Sequence, residues 1–171
     1  GATERLYLNG TQVASLAHRG GRIGFDDLQL QRSYSRQGAY AQSKLAMLMF
    51  GLELDRRLRA AGSPVRSIPA HPGMAKTDIT RLGDRAGPVR KLVLGGMFGL
   101  LGQSAAQGAL PLLYAATAPE ARGGAYYGPD GVWEIRGHPE EAAIAPHALD
   151  QAAARQLWSL SEEVTGVTYP F

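Results

Sequence analysis

Residues 37–70 read QGAYAQSKLAMLMFGLELDRRLRAAGSPVRSIPA. Apolar side chains recur along the first part of this stretch at steps of three and four residues, which is the spacing of one buried helix face. These side chains are Leu45, Leu48, Met49 and Leu52. The pattern predicts a helix that begins near Gln37 and is closed by Gly62 and Pro64. A short strand over Val65–Ala70 is expected to follow it.

The sequence on either side of this stretch continues the alternation of strands and helices. Near the N-terminus, short strands are expected before and after Asn9-Gly10, a dipeptide that favours a tight turn. Ser104 is a predicted helix cap, although Pro111 favours a kink in the helix that follows. The further predicted elements are a helix over Val89–Leu101, a strand over Ala125–Tyr127 and a helix over Ala148–Val164. Such alternation favours an α/β fold with parallel strands.

The composition excludes several classes of protein. The 171 residues are enough for one domain, and the absence of cysteine rules out disulfides and thiolate metal sites and fits a reducing, cytoplasmic location. The formal net charge is +3 and the arginines are scattered along the chain, so a nucleic-acid-binding surface is not expected. The longest apolar stretch, Leu92–Leu101, is about half as long as a membrane-spanning helix. No segment has the pattern of a secretory signal peptide.

Tyr40 and Lys44 are the clearest candidates for chemistry. Residues four apart on a helix stand on the same face. A lysine ammonium at that spacing stabilises a phenolate and lowers the pKa of a phenol from its ordinary value of about 10. Such a phenol can exchange a proton with a carbonyl or alcohol, and a nearby hydroxyl such as that of Ser15 can hold the carbonyl oxygen. Taken alone, a tyrosine and a lysine at this spacing are more often a solvated pair on a helix surface.

Three separate segments, in the same order, resemble the short-chain dehydrogenase/reductase family. Val13–His18 is similar to the end of the family's fifth strand, where Ser15 matches the catalytic serine and Ala14 replaces a second serine. Tyr40–Lys44 is similar to the Tyr-x-x-x-Lys motif of the family, including the serine that often precedes the lysine. His71–Thr77 resembles the Pro-Gly segment that passes the nicotinamide ring. Three motifs in order are far more specific than one.

The long interval after Ser15 resembles one branch of the family, which includes retinol dehydrogenases, WW-domain oxidoreductases and protochlorophyllide reductases. The resemblance covers the chain from about Val13 to its C-terminus. It implies an α/β fold that is the C-terminal half of a doubly wound, Rossmann-like parallel sheet. The expected organisation is a single partial domain over residues 1–171, with an atypical segment over 1–12 and a catalytic half over 13–171.

The resemblance also implies a role for each matching residue. Ser15 would orient the substrate carbonyl, and Tyr40 would act as the acid/base. Lys44 would assist Tyr40, and both would contact the cofactor, with Lys44 on the nicotinamide ribose. The other implied cofactor contacts are Pro72, Gly73, Met74 and Thr77. The implied cofactor is NAD(H) or NADP(H), with no metal ion.

The function implied by the resemblance is the NAD(P)-dependent interconversion of a carbonyl and an alcohol on a small, apolar substrate, by a protein that forms homo-oligomers. The glycine-rich turn that binds the dinucleotide in the family has no counterpart in this sequence. With the N-terminal, dinucleotide-binding half absent, we expect the chain alone to be inactive or weakly active. The alternative is a truncated, non-catalytic fragment that acts as a binding or assembly module.

The remaining polar residues fit structural roles better than chemical ones. His71 is expected to shape a turn, and Asp26-Asp27 to cap a loop. The other histidines show no spacing typical of metal ligands, so no metal site is expected. These histidines are His18, His138 and His147.

Overall fold

The computed structural model describes residues 8–75 and 102–170. Within these ranges four short strands form two pairs. The strands are β1 (Asn9–Gly10), β2 (Arg66–Ser67), β3 (Tyr127–Pro129) and β4 (Pro139–Glu141). The α-helices are α1 (Arg36–Ala60), α2 (Ala105–Thr117) and α3 (Gln151–Thr165). Short 3-10 helices lie over Leu16–Gly20, Val132–Glu134 and Pro146–Leu149.

A parallel ladder joins β1 to β2, the strand that follows α1. Asn9 lies opposite Arg66 in this ladder, and an isolated parallel bridge between Val13 and Ala70 continues it. Ala70 also forms a parallel bridge to Tyr127 at the start of β3. Three segments that are distant in sequence therefore run side by side in the same direction, which confirms a mixed fold with parallel strands.

The turn predicted at Asn9-Gly10 is wrong, because both residues lie within a strand. The carbonyl oxygen of Gly10 accepts a hydrogen bond from Ile68 N at 2.9 Å. The Asn9 side chain donates to the carbonyl oxygen of Ala115 at 3.0 Å. Pairing with distant segments thus satisfies the polar groups that a local turn would have used, and the chain continues without reversal towards Val13.

Helix α1 confirms the helix predicted from the apolar spacing. It is capped by Ser35, whose hydroxyl accepts a hydrogen bond from Gly38 N at 3.1 Å. Three of the four predicted face residues are buried and the fourth is half-buried: Leu45, Leu48, Met49 and Leu52, in that order. Near the other end, the buried carboxylate of Asp55 accepts a hydrogen bond from Ser67 N at 3.1 Å. This contact fixes the end of α1 against β2.

The predicted cap at Ser104 is confirmed at the start of α2. The Ser104 hydroxyl accepts from Gln107 N and the Gln107 side chain accepts from Ser104 N, which is a complete capping box. Pro111 is buried inside α2 without ending it. The helix predicted over Val89–Leu101 lies outside the described residues.

Residues from the C-terminal part of the chain complete the core that α1 begins. β3 and β4 pair in antiparallel fashion, and α3 packs on α1. The buried ring of Trp158 on α3 stacks on Phe50 of α1, with ring centroids 4.7 Å apart. α3 confirms the predicted C-terminal helix, although it begins at Gln151. None of the helices in the described ranges combines the length and apolar character that a membrane crossing requires.

Candidate active site

Ser15 lies at the carboxyl end of the segment that begins with β1. Two residues before it, Val13 bridges Ala70, and directly after it the chain enters the 3-10 helix Leu16–Gly20. The Ser15 hydroxyl caps that helix by accepting a hydrogen bond from Ala17 N at 3.2 Å. The side chain is therefore held at the strand edge, where open parallel sheets bind their ligands.

Helix α1 brings two further predicted residues to this edge. The Tyr40 hydroxyl donates a hydrogen bond to Ser15 Oγ at 3.4 Å, and the Tyr40 side chain is 41% exposed. Lys44 Nζ lies 5.8 Å from the centroid of the Tyr40 ring. It donates to the carbonyl oxygen of Val13 at 2.9 Å. The three residues predicted to be catalytic thus lie together, although 25 residues separate Ser15 from Tyr40.

His18 holds the backbone of Ser15 through a hydrogen bond. Its ring Nδ1 lies 2.7 Å from the carbonyl oxygen of Ser15, so Nδ1 carries the proton and donates. Its Nε2 accepts from Ala145 N at 3.3 Å. The His18 side chain is buried, and this burial lowers its pKa from 6.5. His18 is therefore neutral and positions the serine. No pattern around His18 in the sequence predicts this role.

The Pro-Gly segment lies at the carboxyl end of the neighbouring strand. Gly73 has a φ of +60°, and a Cβ there would overlap the carbonyl oxygen of Ile135. Met74 N donates to that same oxygen at 2.7 Å, and Gln103 N donates to the carbonyl oxygen of Met74 at 3.0 Å. Pro72, Gly73 and Met74 are thus fixed beside the strand that carries Ser15. Thr77 lies outside the described residues.

His71 shapes this turn, as the sequence predicted. Its Nδ1 accepts a hydrogen bond from Gly73 N at 3.1 Å. Its Nε2 lies 3.0 Å from Glu134 Oε2. Glu134 Oε1 in turn accepts from Arg19 at 2.7 Å. Burial lowers the pKa of His71 from 6.5 to about 4, so the ring is neutral at pH 7.

Two buried residues near the site were not singled out from the sequence. Gln42 accepts from Gly24 N at 3.0 Å and donates to the carbonyl oxygen of Leu28 at 2.9 Å, which ties the loop before α1 to the helix. Tyr126 lies between the two buried histidines, its ring centroid 5.4 Å from that of His18. Burial raises the pKa of Tyr126 above its ordinary value of 10, so this phenol stays protonated and neutral.

Asp27 has the loop-capping role that the sequence predicted. Asp27 caps its loop by accepting from Gln31 N at 2.8 Å and from Arg32 N at 3.1 Å. In the part of the chain that the structure describes, no three His, Asp or Glu side chains form a group that could bind a metal ion.

Several curated proteins are similar to this chain over almost its whole length, whereas no family model matches it. Human retinol dehydrogenase 13 is 39% identical over 162 residues, which cover 92% of this chain and 46% of that protein. Mouse polyprenol dehydrogenase is 38% identical over 155 residues, covering 90% of this chain and 43% of that protein. The chain therefore spans about half the length of the curated relatives it matches, namely their C-terminal half.

One solved structure has the same fold over nearly all of this chain. It is the crystal structure of an uncharacterized protein from Mycobacterium paratuberculosis, with a TM-score of 0.71 and 35% sequence identity. The match covers 95% of this chain and 52% of that one. The motifs at Ser15, Tyr40 and His71, together with the retinol and polyprenol dehydrogenases among the relatives, lead to one conclusion: the chain belongs to the short-chain dehydrogenase/reductase family.

Proposed function

We propose that this chain is the catalytic half of an NAD(P)-dependent oxidoreductase that interconverts a carbonyl and an alcohol. The single observation that carries the proposal is the hydrogen bond between Tyr40 and Ser15, 3.4 Å long, at the edge of parallel strands. The Lys44 ammonium lies one helical turn from Tyr40 and within 5.8 Å of its ring centroid. A phenol, a hydroxyl and an ammonium at one exposed point are the groups that proton transfer to a carbonyl oxygen requires.

The hydrogen bonds of Ser15 leave its proton available for a substrate. A serine hydroxyl has one donor and two lone pairs. Both lone pairs are used, because Tyr40 and Ala17 N donate to Ser15 Oγ. The Ser15 O–H therefore has to point elsewhere, and a substrate carbonyl oxygen would accept from it. Once the Tyr40 hydroxyl turns from Ser15 to the substrate, the same carbonyl oxygen could take its proton, because the Tyr40 side chain is exposed.

The donors at the site fit the ribose of a nicotinamide nucleotide. Lys44 Nζ has three protons, and the Val13 carbonyl accepts one of them. The other two can reach the hydroxyls of a ribose placed beside Tyr40. When bound, the nicotinamide supplies or accepts the hydride. Pro72, Gly73 and Met74 would line its ring, since they follow the strand next to Ser15; whether it is NAD(H) or NADP(H) is left open.

We also propose a fold for the larger sheet to which the site would belong. Residues 13–171 would form the C-terminal half of a doubly wound, Rossmann-like sheet, in which β2 lies parallel to β1, a strand that begins ahead of residue 13. The overlap with the solved structure, at a TM-score of 0.71, supports this arrangement. Binding of the adenosine and pyrophosphate would need further protein groups, because no glycine-rich phosphate-binding turn occurs in this sequence.

The proposed substrate is an apolar alcohol or its carbonyl product. The relatives named above are dehydrogenases of retinol and of polyprenol. Close to the Pro-Gly segment, Val132 and Trp133 are both 76% exposed. Apolar side chains exposed beside a polar site can hold the hydrocarbon part of a substrate.

The test is oxidation of retinol and of a short polyprenol by the longest form of the protein that contains this sequence, with NAD and with NADP. Tyr40→Phe should lower kcat/KM by a factor of about 100 to 10,000. Tyr34→Phe is the matched control, because Tyr34 lies six residues earlier and is 72% exposed. Unchanged activity in Tyr40→Phe would show that Tyr40 is not the acid/base.

Cofactor binding by the chain itself is measured separately, by calorimetric titration with NADPH and NADH. Weak, saturable binding that Lys44→Met reduces is the expected result. A folded chain to which neither nucleotide binds would contradict the proposed contacts of Lys44.

A further inference from the structure

Two elements that would form opposite sides of the proposed site are joined by one segment of the chain. The first is the Ser15 loop, residues 15–21. The second is the Pro-Gly turn, residues 71–74. Residues 134–145 contact both elements, and we call them the clamp segment. It follows β3 and includes β4.

The clamp segment contacts the Ser15 loop at two points. Ala145 N donates to His18 Nε2 at 3.3 Å, and His18 Nδ1 donates to the carbonyl oxygen of Ser15 at 2.7 Å. Glu134 Oε1 accepts from the Arg19 guanidinium at 2.7 Å. The backbone of Ser15 is thereby connected to the clamp segment through a single imidazole ring.

The clamp segment contacts the Pro-Gly turn at two other points. Its Ile135 carbonyl accepts from Met74 N at 2.7 Å. Its Glu134 carboxylate lies 3.0 Å from His71 Nε2 through Oε2. Since the Gly73 N–H donates to His71 Nδ1 at 3.1 Å, that nitrogen carries no proton. The proton of the neutral ring is on Nε2, which donates it to Glu134.

The backbone at Glu134 is held in an unfavourable conformation. Trp133 and Glu134 both have a φ of +56°, in the left-handed region that few residues other than glycine adopt. Such strain persists only where surrounding contacts hold the chain in place. Here the conformation sends the Glu134 side chain inward, where 19% of it is exposed, while Trp133 points to solvent.

We propose that Glu134 is a positioning residue whose carboxylate, held between Arg19 and His71, fixes the Ser15 loop and the Pro-Gly turn relative to each other. Oε1 accepts from Arg19 and from Ala143 N, and Oε2 accepts from His71. Glu134 is thus hydrogen-bonded to both elements. That these elements form the two sides of an active site rests on the proposed function.

Replacement of Glu134 by glutamine tests the proposal without changing the size of the side chain. Because two donors contact Oε1, the amide oxygen is expected to take that position. The amide nitrogen would then face His71 Nε2, so that His71 has to accept there and carry its proton on Nδ1. Nδ1–H would oppose the N–H of Gly73, and the turn would lose its hydrogen bond.

The readout is nitrogen-15 NMR of the histidine rings and amide hydrogen exchange. In the unaltered chain, His71 should be the Nε2–H tautomer and His18 the Nδ1–H tautomer. Glu134→Gln should shift His71 towards Nδ1–H and speed the exchange of the Gly73 amide about ten-fold, the loss of one hydrogen bond. The amide of Leu48, in the middle of α1, should be unaffected, which separates this effect from general destabilisation.

Glu141→Gln is the matched control. Glu141 is also in the clamp segment, but it pairs with Arg122 at the surface. Glu141→Gln should leave the His71 tautomer and the exchange of the Gly73 amide unchanged. The proposal is overturned if Glu134→Gln retains the Nε2–H tautomer and the Gly73 protection. It is equally overturned if His71 of the unaltered chain is not the Nε2–H tautomer, a result that needs no variant to fold.

A nucleotide titration distinguishes this proposal from the proposed function. If NADPH binds, Glu134→Gln should weaken its affinity several-fold while Glu141→Gln does not. If NADPH fails to bind the unaltered chain, the proposed cofactor contacts of Lys44 are contradicted, yet the tautomer and exchange measurements still decide whether Glu134 positions the two elements.

Discussion

The Tyr40 hydroxyl lies 3.4 Å from Ser15 Oγ, and Ala17 N donates to the same oxygen at 3.2 Å. Ser15 therefore has a structural task, as the cap of a 3-10 helix, besides its proposed chemical one. Its replacement is expected to affect both stability and turnover, and the two effects need separate measurements.

Ser15→Ala should lower the free energy of unfolding by about 1 kcal/mol, the usual cost of a lost cap. It should lower kcat/KM by a factor of about 100 or more, since the substrate oxygen loses a preorganised donor. Ser15→Thr keeps the hydroxyl and should therefore retain most of the free energy of unfolding and most of kcat/KM. Urea unfolding and steady-state kinetics check the two parts. If Ser15→Ala loses stability but no activity, Ser15 is a cap and nothing more.

Acid should destabilise the fold through its buried histidines. Burial lowers the pKa of His71 from 6.5 to about 4 and also lowers that of His18. Between these pH values the unfolded chain binds more protons than the folded chain, so the free energy of unfolding decreases as the pH falls from 6.5 towards 4. The contribution is fully present above pH 6.5.

Urea midpoints measured at several pH values between 7.5 and 4 check this prediction. His71→Gln should show a weaker decrease than the unaltered chain. His138→Gln is the control, because His138 is exposed, and it should decrease as the unaltered chain does. An identical pH dependence in His71→Gln would show that another group is responsible.

Local patterns and the family resemblance were enough to predict the helices and the cluster of Ser15, Tyr40 and Lys44. Apolar spacing located α1, and the capping preference of Ser104 located the start of α2. Tyr40 and Lys44 are four residues apart on one helix, and the family motif placed Ser15 beside them. Each of these features depends on neighbours within a few residues, or on a motif that the sequence itself displays.

Contacts between distant residues could not be predicted in this way. Asn9-Gly10 has the local chemistry of a turn, but hydrogen bonds to a strand more than 50 residues away determine its conformation. Arg19 and Glu134 are 115 residues apart, and no pattern near either one indicates the pair. The left-handed backbone at Glu134 is likewise stabilised by tertiary contacts, against the preference of the residue itself.

Asp55 should contribute to stability far more than a surface carboxylate does. It is fully buried and accepts from Ser67 N at 3.1 Å. Asp55→Ala would leave that buried N–H without an acceptor, which costs about 1–3 kcal/mol. Asp26→Ala is the control, because the Asp26 side chain is 82% exposed in its pair with Arg32, and it should cost less than about 1 kcal/mol. Equal urea midpoints for the two variants would contradict this difference.

Gly73 and Gly62 allow the cost of backbone conformation to be separated from the cost of crowding. Both have a positive φ, +60° and +67°. Around Gly62 no atom lies within 4 Å of an added Cβ, whereas at Gly73 a Cβ would overlap the Ile135 carbonyl oxygen and lie 2.9 Å from that of Glu134. Gly62→Ala should therefore cost only the left-handed strain, about 1 kcal/mol.

Gly73→Ala should cost the same strain plus about 1–3 kcal/mol for overpacking, because the nearby atoms belong to the backbone and cannot rotate away. Urea unfolding of the two variants measures the difference directly. An equal loss of unfolding free energy in the two variants would mean that the chain near Ile135 moves aside without cost. In that case Met74 N would no longer donate to the Ile135 carbonyl oxygen, and amide exchange at Met74 would be faster in Gly73→Ala than in Gly62→Ala.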